Sequence, residues 1–174
     1  GYEVSGQYFE VFGIRPFLGR LLEPADDDHP GAAEVAVLSW PAWNSLFNAD
    51  PDIVGKIVRI NKHAYTIVGV TPQGFYGTEK FLQPDIFVPM ANEAELEGID
   101  WLESRKDGYV LSVVRLKDGI TLAQAHADLK TIVARIIREV PKDEETLAVK
   151  LAQPGLMGDF MGAPVRAFLI AVMT

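Results

Sequence analysis

Residues 56–70, KIVRINKHAYTIVGV, decide the fold more than any other stretch of the sequence. Two runs rich in β-branched residues, 56–60 and 64–70, flank the pair Asn61-Lys62. Such runs favour β-strands, and asparagine tolerates the positive φ that a two-residue turn requires. The pattern predicts a β-hairpin, and Thr71-Pro72-Gln73-Gly74 ends its second strand.

Shorter elements with clear end signals precede the hairpin. Apolar residues at helical spacing before Gly13 predict a short helix that ends there. Residues 34–38 form a short apolar run typical of a buried strand. Ser39 is placed to cap a following helix that runs to Phe47, with Pro41 tolerated in its first turn.

After the hairpin the sequence again alternates strands with helices. Strands are predicted at 85–90, at 109–116 (apolar enough for burial on both faces) and at 147–151, with an acidic surface helix and loop at 92–102. Thr121 and Gln124 form a capping box at the start of a long amphipathic helix that Pro141 closes.

The order of these elements predicts an α+β fold with two subdomains. Residues 1–47 and 107–163 are expected to form one discontinuous α/β subdomain, because strand followed by helix recurs in both parts. Residues 48–106 are expected to form an inserted, smaller, β-rich subdomain.

The two ends of the sequence suggest a segment of a longer protein. The chain begins at Gly1 rather than Met, and residues 165–174 turn strongly apolar. Ten residues are too few for a bilayer span, which needs about 20. From the pattern alone, this run predicts equally the start of a membrane helix or a last core element.

Composition excludes several classes of protein. The 174 residues carry a net charge of -8, whereas nucleic acid and anionic membrane surfaces require clustered Lys and Arg. The chain has no cysteine, which excludes disulfides, thiolate metal sites and cysteine nucleophiles. A hydrophobic content of 48% predicts a packed core.

The residues that most often carry chemistry lack supporting motifs here. His29, His63 and His126 match no zinc spacing. The acidic run 26–28 lacks the ligand spacing of a calcium loop and is interpreted as a solvated loop. The serines stand in no nucleophile elbow, and both the phosphate-binding loop and the dinucleotide fingerprint are missing. The sequence therefore predicts no catalytic, cofactor-binding or metal-ligating residue.

Aromatic residues in the first third of the sequence could line a ligand pocket or fill the core. The helical spacing of Trp40, Trp43 and Phe47 favours the core. The same interpretation is applied to the remaining members of the set, which are Tyr8, Phe9, Phe12 and Phe17.

An ordered set of segments resembles the MacB-like periplasmic core domain of ABC transporter permeases. Residues 4–16, VSGQYFEVFGIRP, resemble the opening of that domain, and residues 52–70 resemble its hairpin. Residues 35–47, 74–89 and 114–125 match further segments in the same order, so the resemblance covers almost the whole chain. The form Gly74-Phe75-Tyr76-Gly77 is similar to the orphan-permease branch, so macrolide export is not carried over.

The resemblance implies a place and a role. It implies a bacterial inner-membrane permease in which this domain is periplasmic, with a porter-like subdomain and an insert. The run from Val165 would then enter the second membrane helix. The implied role is non-catalytic: the domain couples ATP-driven motion of membrane helices to movement of periplasmic domains during export.

The resemblance also implies partners and leaves alternatives. The partners are an ABC ATPase subunit or domain, a second permease copy, an optional periplasmic adaptor and the membrane through flanking helices, without nucleic acid. The alternatives are a substrate- or lipoprotein-binding domain, for which a large apolar pocket is expected, and a hydrolase on an α+β scaffold. Clustered carboxylates or histidines with perturbed pKa values would favour the hydrolase.

Overall fold

The computed structural model describes residues 1–78, 83–98, 102, 111–139, 150–152 and 168–172. They belong to two compact units, residues 1–100 and 101–174. Both units combine helices with an open sheet, which confirms the predicted α+β class.

The elements agree closely with the end signals in the sequence. Those of the first unit are β1 (Tyr2–Val4), α1 (Tyr8–Phe12), β2 (Leu18–Gly19), β3 (Val35–Leu38), α2 (Trp40–Leu46), β4 (Ile57–Ile60), β5 (His63–Val70), β6 (Ile86–Pro89) and α3 (Glu93–Glu97). Short 3-10 turns occupy Pro24–Asp26 and Met90–Asn92. Those of the second unit are β7 (Leu111–Arg115), α4 (Leu122–Glu139), β8 (Lys150–Ala152) and β9 (Phe168–Val172).

The predicted hairpin is confirmed as β4 and β5. Ile60 pairs with His63 across the turn, and both turn residues have positive φ, 47° at Asn61 and 78° at Lys62. This is the left-handed geometry that matches a two-residue turn to the twist of the strands. Asn61 accepts this conformation readily, whereas Lys62 adopts it at a steric cost.

β5 organises the sheet of the first unit. The order is β1-β6-β3-β5-β2, and β4 also pairs with β5. β3 runs parallel to β5, whereas β6 is antiparallel to β3 and parallel to β1. The first and second halves of β5 pair with β4 and β2 respectively, so one long strand supports two short ones.

One sheet contains strands from both sides of residue 47. β3, from residues 1–47, pairs with both β5 and β6, from residues 48–106. The boundary between the two compact units falls at residue 100. The predicted boundary after residue 47 differs from this one, because alternation of elements along the sequence does not reveal which strands pair.

Apolar side chains fill the first unit on both sides of the sheet. Ile67 and Phe87 are fully buried, on β5 and β6. The prediction that the aromatics belong to the core is confirmed for Tyr8, Phe9 and Trp43, which are buried. Phe12, Trp40 and Phe47 are half-buried against the core, whereas Phe17 is 52% exposed although its ring contacts Trp43.

The predicted caps are confirmed in both units. Ser39 Oγ accepts a hydrogen bond from the Ala42 N–H at the start of α2. The Thr121 N–H donates to Gln124 Oε1, and the Gln124 N–H donates to Thr121 Oγ1, which completes the capping box of α4. α1 ends at Gly13, whose φ is 66°. Pro141 lies outside the described residues.

The second unit is a parallel sheet in the order β7-β9-β8. Phe168–Val172 is therefore a strand between two others. Leu111, Ser112 and Arg115 are exposed, so the prediction that β7 is buried on both faces was wrong. Within the described residues, the longest helices are too short or too polar to cross a bilayer.

Candidate functional site: the Asp26–Asp27 junction

The acidic loop before β3 is the most highly connected polar feature of the first unit. Asp26 is only 6% exposed and forms a bidentate pair with Arg20. Its Oδ2 lies 2.6 Å from Arg20 Nη1, and its Oδ1 lies 2.8 Å from Nη2. Asp26 Oδ2 also accepts the Glu23 N–H at 2.9 Å, which closes the 3-10 turn at Pro24–Asp26.

Asp27 connects three distant parts of the chain. Its Oδ2 accepts the N–H of Gly6, which follows β1, at 3.1 Å. Its Oδ1 accepts the N–H of Ala91, which follows β6, at 2.7 Å. One carboxylate thus satisfies two backbone donors that lie 21 and 64 residues away.

Asn92 adds a second connection beside Asp27. Its side-chain amide donates to the Ala33 carbonyl at 2.8 Å, and its Oδ1 accepts the Gly31 N–H at 3.1 Å. Asn92 is 1% exposed, whereas its partners Gly31 and Ala33 lie nearer the surface. We call Gly6, Arg20, Asp26, Asp27, Ala91 and Asn92 the junction.

Local sequence explains why the loop can approach so closely. A Cβ at Gly6 would lie 2.4 Å from the Glu23 carbonyl oxygen and 2.7 Å from Pro24 Cα. Both neighbours are backbone atoms, so they cannot move aside without disturbing the loop. Gly6 is therefore required by the packing, and Pro24 fixes the start of the 3-10 turn.

The electrostatics of the junction stabilise the charged form of Asp26. Burial by itself would raise its pKa, but the hydrogen bonds from Arg20 and the Glu23 N–H, with the guanidinium charge, outweigh burial and lower the pKa below 3.8. The same bond from Asp26 raises the pKa of Arg20. The pair is fully charged at neutral pH.

The interpretation of residues 26–28 as a solvated loop is correct only for Asp28, which is exposed. Both oxygens of Asp26 and of Asp27 already accept hydrogen bonds from the protein, so a cation would have to displace them. No group of three His, Cys, Asp or Glu residues in the described part of the chain could hold a metal ion.

The histidines are dispersed through the chain. His29 is exposed and its Nδ1 lies 3.0 Å from the Pro30 carbonyl. His63 Nδ1 lies 2.6 Å from Glu95 Oε1. His126 is half-buried on α4, and its Nε2 is buried without a hydrogen-bond partner. The structure brings none of these three to the junction contacts.

Three glutamates form a second electrostatic feature, on β1 and α3. Burial, followed by the negative charges of Glu97 and Glu93, raises the pKa of Glu3 from 4.5 to about 7. Glu93 is only 4% exposed. Sequence reasoning missed this group because β1 and α3 are far apart in the chain.

Comparisons with known proteins identify the family. The sequence model of the MacB-like periplasmic core domain matches residues 1–132. The chain belongs to this family. As a MacB-like periplasmic core domain it shares its fold with the crystal structure of the periplasmic region of MacB from Actinobacillus actinomycetemcomitans. The TM-score is 0.56 at 22% identity, over 78% of this chain and 55% of that one.

Curated relatives of this MacB-like domain are much longer proteins. It is 36% identical over 69 residues to the macrolide export ATP-binding/permease protein MacB of Aggregatibacter actinomycetemcomitans. The same figures hold for MacB of Neisseria gonorrhoeae. Each match covers 40% of this chain and 10% of the relative. The resemblance found in the sequence is thereby confirmed: this is a periplasmic core domain of the ABC-permease kind.

Proposed function

We propose that this domain is a mechanical relay, which passes ATP-driven motion of membrane helices to the periplasmic part of an exporter. The observation that carries the proposal is membership of the MacB-like periplasmic core family over residues 1–132. The relatives are named as export ATP-binding/permease proteins, so their periplasmic domains accompany an ATPase.

The junction supplies the stiffness that a relay requires. A force applied to β1 reaches Gly6 two residues later, and the Asp27 carboxylate links Gly6 to Ala91 beyond β6. The bidentate pair of Asp26 with Arg20 anchors the same loop to the strand region around β2. Charge-assisted bonds of this kind are directional and strong, so they reinforce the direct pairing of β1 with β6 and attach the acidic loop to both strands.

The proposed setting follows from the relay. The domain lies on the periplasmic side of a bacterial inner membrane and is joined to that membrane by helices outside this chain. Its partners are an ABC ATPase subunit or domain, a second permease copy and, in some assemblies, a periplasmic adaptor. The cargo is not assigned to macrolides, because the shared segment covers only 10% of each curated relative.

One observation favours an enzymatic alternative. A carboxyl with a pKa of about 7, as at Glu3, is suited to general acid or base catalysis. The charges that act on it are those of the Glu97 and Glu93 carboxylates and of the Gly1 amino group, whereas acyl transfer also requires an activated nucleophile and oxyanion donors. We therefore favour the non-catalytic role. Loss of a hydrolytic activity in Glu3→Gln would reverse that preference.

The relay is tested in the parent transporter, reconstituted with its ATPase in lipid nanodiscs. The chain contains no cysteine, so Asn44→Cys on the exposed face of α2 introduces one spin label per domain. Pulsed dipolar spectroscopy then gives the distance between labels in the two copies, with and without ATP and vanadate.

The proposal predicts a shift of the label-to-label distance on ATP trapping. It also predicts that the shift disappears when the ATPase is inactivated in its phosphate-binding loop. A distance that is the same with and without ATP and vanadate, in a transporter that still hydrolyses ATP, would contradict the relay. The absence of any dipolar coupling between labels would contradict the paired arrangement.

A further inference from the structure

Helix α3 is unusually acidic for an element that packs on a core. It spans Glu93–Glu97 and carries a glutamate at its first, third and fifth positions. Leu96 is buried in a cluster with Tyr65 and Val88 of the sheet. The helix therefore places several negative charges directly beside an apolar face.

Two polar contacts hold α3 to the hairpin turn. Asn61 Nδ2 donates to the Leu96 carbonyl at 3.1 Å. His63 Nδ1 lies 2.6 Å from Glu95 Oε1. These two contacts attach α3 to the turn end of the hairpin.

Glu3 approaches α3 from the opposite edge of the sheet. It pairs in register with Val88, and residues in register on neighbouring strands point to the same face. Val88 packs beneath Leu96 of α3. Glu3 is consequently half-buried near Glu93 and Glu97, and their negative charges oppose its ionisation.

The other charged or titratable groups around α3 do not reverse this effect. Tyr65 packs against Leu96 of the helix, and burial, followed by the charges of Glu95, Glu34 and Glu3, raises the pKa of Tyr65 to about 12. Tyr65 is therefore neutral between pH 5 and 8. The amino group of Gly1 lowers the pKa of Glu3, but burial and the two glutamates outweigh it.

We infer that α3 is a proton-sensitive clasp, which docks more tightly on β1 as the pH falls from 8 to 5. Protonation of Glu3 lowers the cost of burying its side chain under the helix and removes its repulsion of Glu93 and Glu97. The contacts of the hairpin turn with Leu96 and Glu95 hold the other side of the helix. This property is independent of the proposed relay, since it concerns the isolated domain.

The direction of the pH effect follows from the linkage between proton binding and folding. The pKa of Glu3 is raised in the folded chain, from 4.5 to about 7, so the folded chain binds more protons than the unfolded chain in that window. The stabilising contribution is complete below pH 4.5 and is lost as the pH rises through about 7. Asp26 does not interfere, because its lowered pKa places its titration below 3.8.

Hydrogen exchange of the 174-residue chain tests the clasp. Protection factors, corrected for the intrinsic pH dependence of exchange, are measured for the Gly98 amide, which donates to Ala94 at the end of α3. We expect the protection factor of the Gly98 amide to fall roughly tenfold between pH 5.5 and 8. The expected change is modest because Glu3 is only half-buried. The Ile67 amide, in the core strand β5, serves as the internal reference.

Two variants test the assignment to Glu3. Glu3→Gln should remove most of the pH dependence at Gly98. Glu10→Gln, on the exposed side of α1, should leave it unchanged. Equal protection at pH 5.5 and 8 in the wild type would overturn the inference, as would an unaltered pH dependence in Glu3→Gln. A direct carbon-13 titration of Glu3 that follows an ordinary glutamate curve would overturn it as well.

Discussion

The core around β5 and β6 and the junction hold the same unit together by opposite means. The core buries apolar side chains such as Ile67 and Phe87 completely, and apolar burial is non-directional. The junction uses one arginine, two aspartates and an asparagine, with fixed donors and acceptors. The difference indicates that the core sets the fold, while the junction determines which segments move together.

The largest effect is expected in the core. Phe87 is fully buried and contacts the rings of Tyr8, Phe9 and Phe75. We expect Phe87→Ala to lower the free energy of unfolding by about 3–5 kcal/mol, through lost transfer energy and a cavity. Urea denaturation followed by tryptophan fluorescence measures it.

Phe17→Ala is the matched control for Phe87. Phe17 is 52% exposed, so its truncation leaves no enclosed cavity and should cost about 1 kcal/mol. Equal losses for the two variants would show that burial does not determine the stability of this sheet.

The next effect is expected at Asp26. Asp26→Asn leaves the Arg20 guanidinium without its bidentate partner. We expect the free energy of unfolding to fall by about 1–3 kcal/mol at pH 7, less than for a fully buried pair because Arg20 is partly exposed. Because the pKa of Asp26 is lowered, the wild-type advantage is present above 3.8 and disappears as the pH falls further. Denaturation of both proteins at pH 7 and 3 measures this. An advantage as large at pH 3 as at pH 7 would contradict the assigned role.

Asp27 should have a smaller effect on stability. Asp27→Ala leaves the N–H groups of Gly6 and Ala91 without their acceptor. Because water can partly replace the carboxylate, we expect the free energy of unfolding to fall by about 1–2 kcal/mol. Asp28→Ala, one residue later and exposed, should change stability by less than about 0.5 kcal/mol. Amide exchange at Gly6 and Ala91 should accelerate only in the first variant.

The smallest effect is expected at a helix end. Ser39→Ala removes the acceptor for the Ala42 N–H, and loss of such a cap costs about 1 kcal/mol. Ser45, whose hydroxyl donates to the Pro41 carbonyl on the surface of α2, provides the control. A Ser45→Ala loss that exceeds the Ser39→Ala loss in thermal unfolding would contradict the capping role.

The sequence was informative wherever the signal is local. The hairpin turn at Asn61-Lys62, the Ser39 cap and the Thr121 capping box each depend on residues within a few positions, and all three are confirmed. The α+β class and the family resemblance follow from the same ordered local signals.

The sequence failed where contacts are distant. Asp27 bonds to groups 21 and 64 residues away, and an acidic run looks solvated unless those partners are known. The pairing of β3 with β5 and β6 is likewise a contact between distant segments, which the sequence does not reveal. The apolar run at 168–172 is compatible with a helix or a strand, and only pairing with β7 and β8 distinguishes them.

The most direct test of the relay combines the junction with the distance measurement in the parent transporter. The account predicts that Asp27→Ala reduces the ATP-driven shift between Asn44→Cys labels while ATP hydrolysis continues, and that Asp28→Ala keeps the full shift. A full shift in the Asp27→Ala protein, with its Gly6 and Ala91 amides exchanging freely, would contradict the claim that the junction transmits the motion.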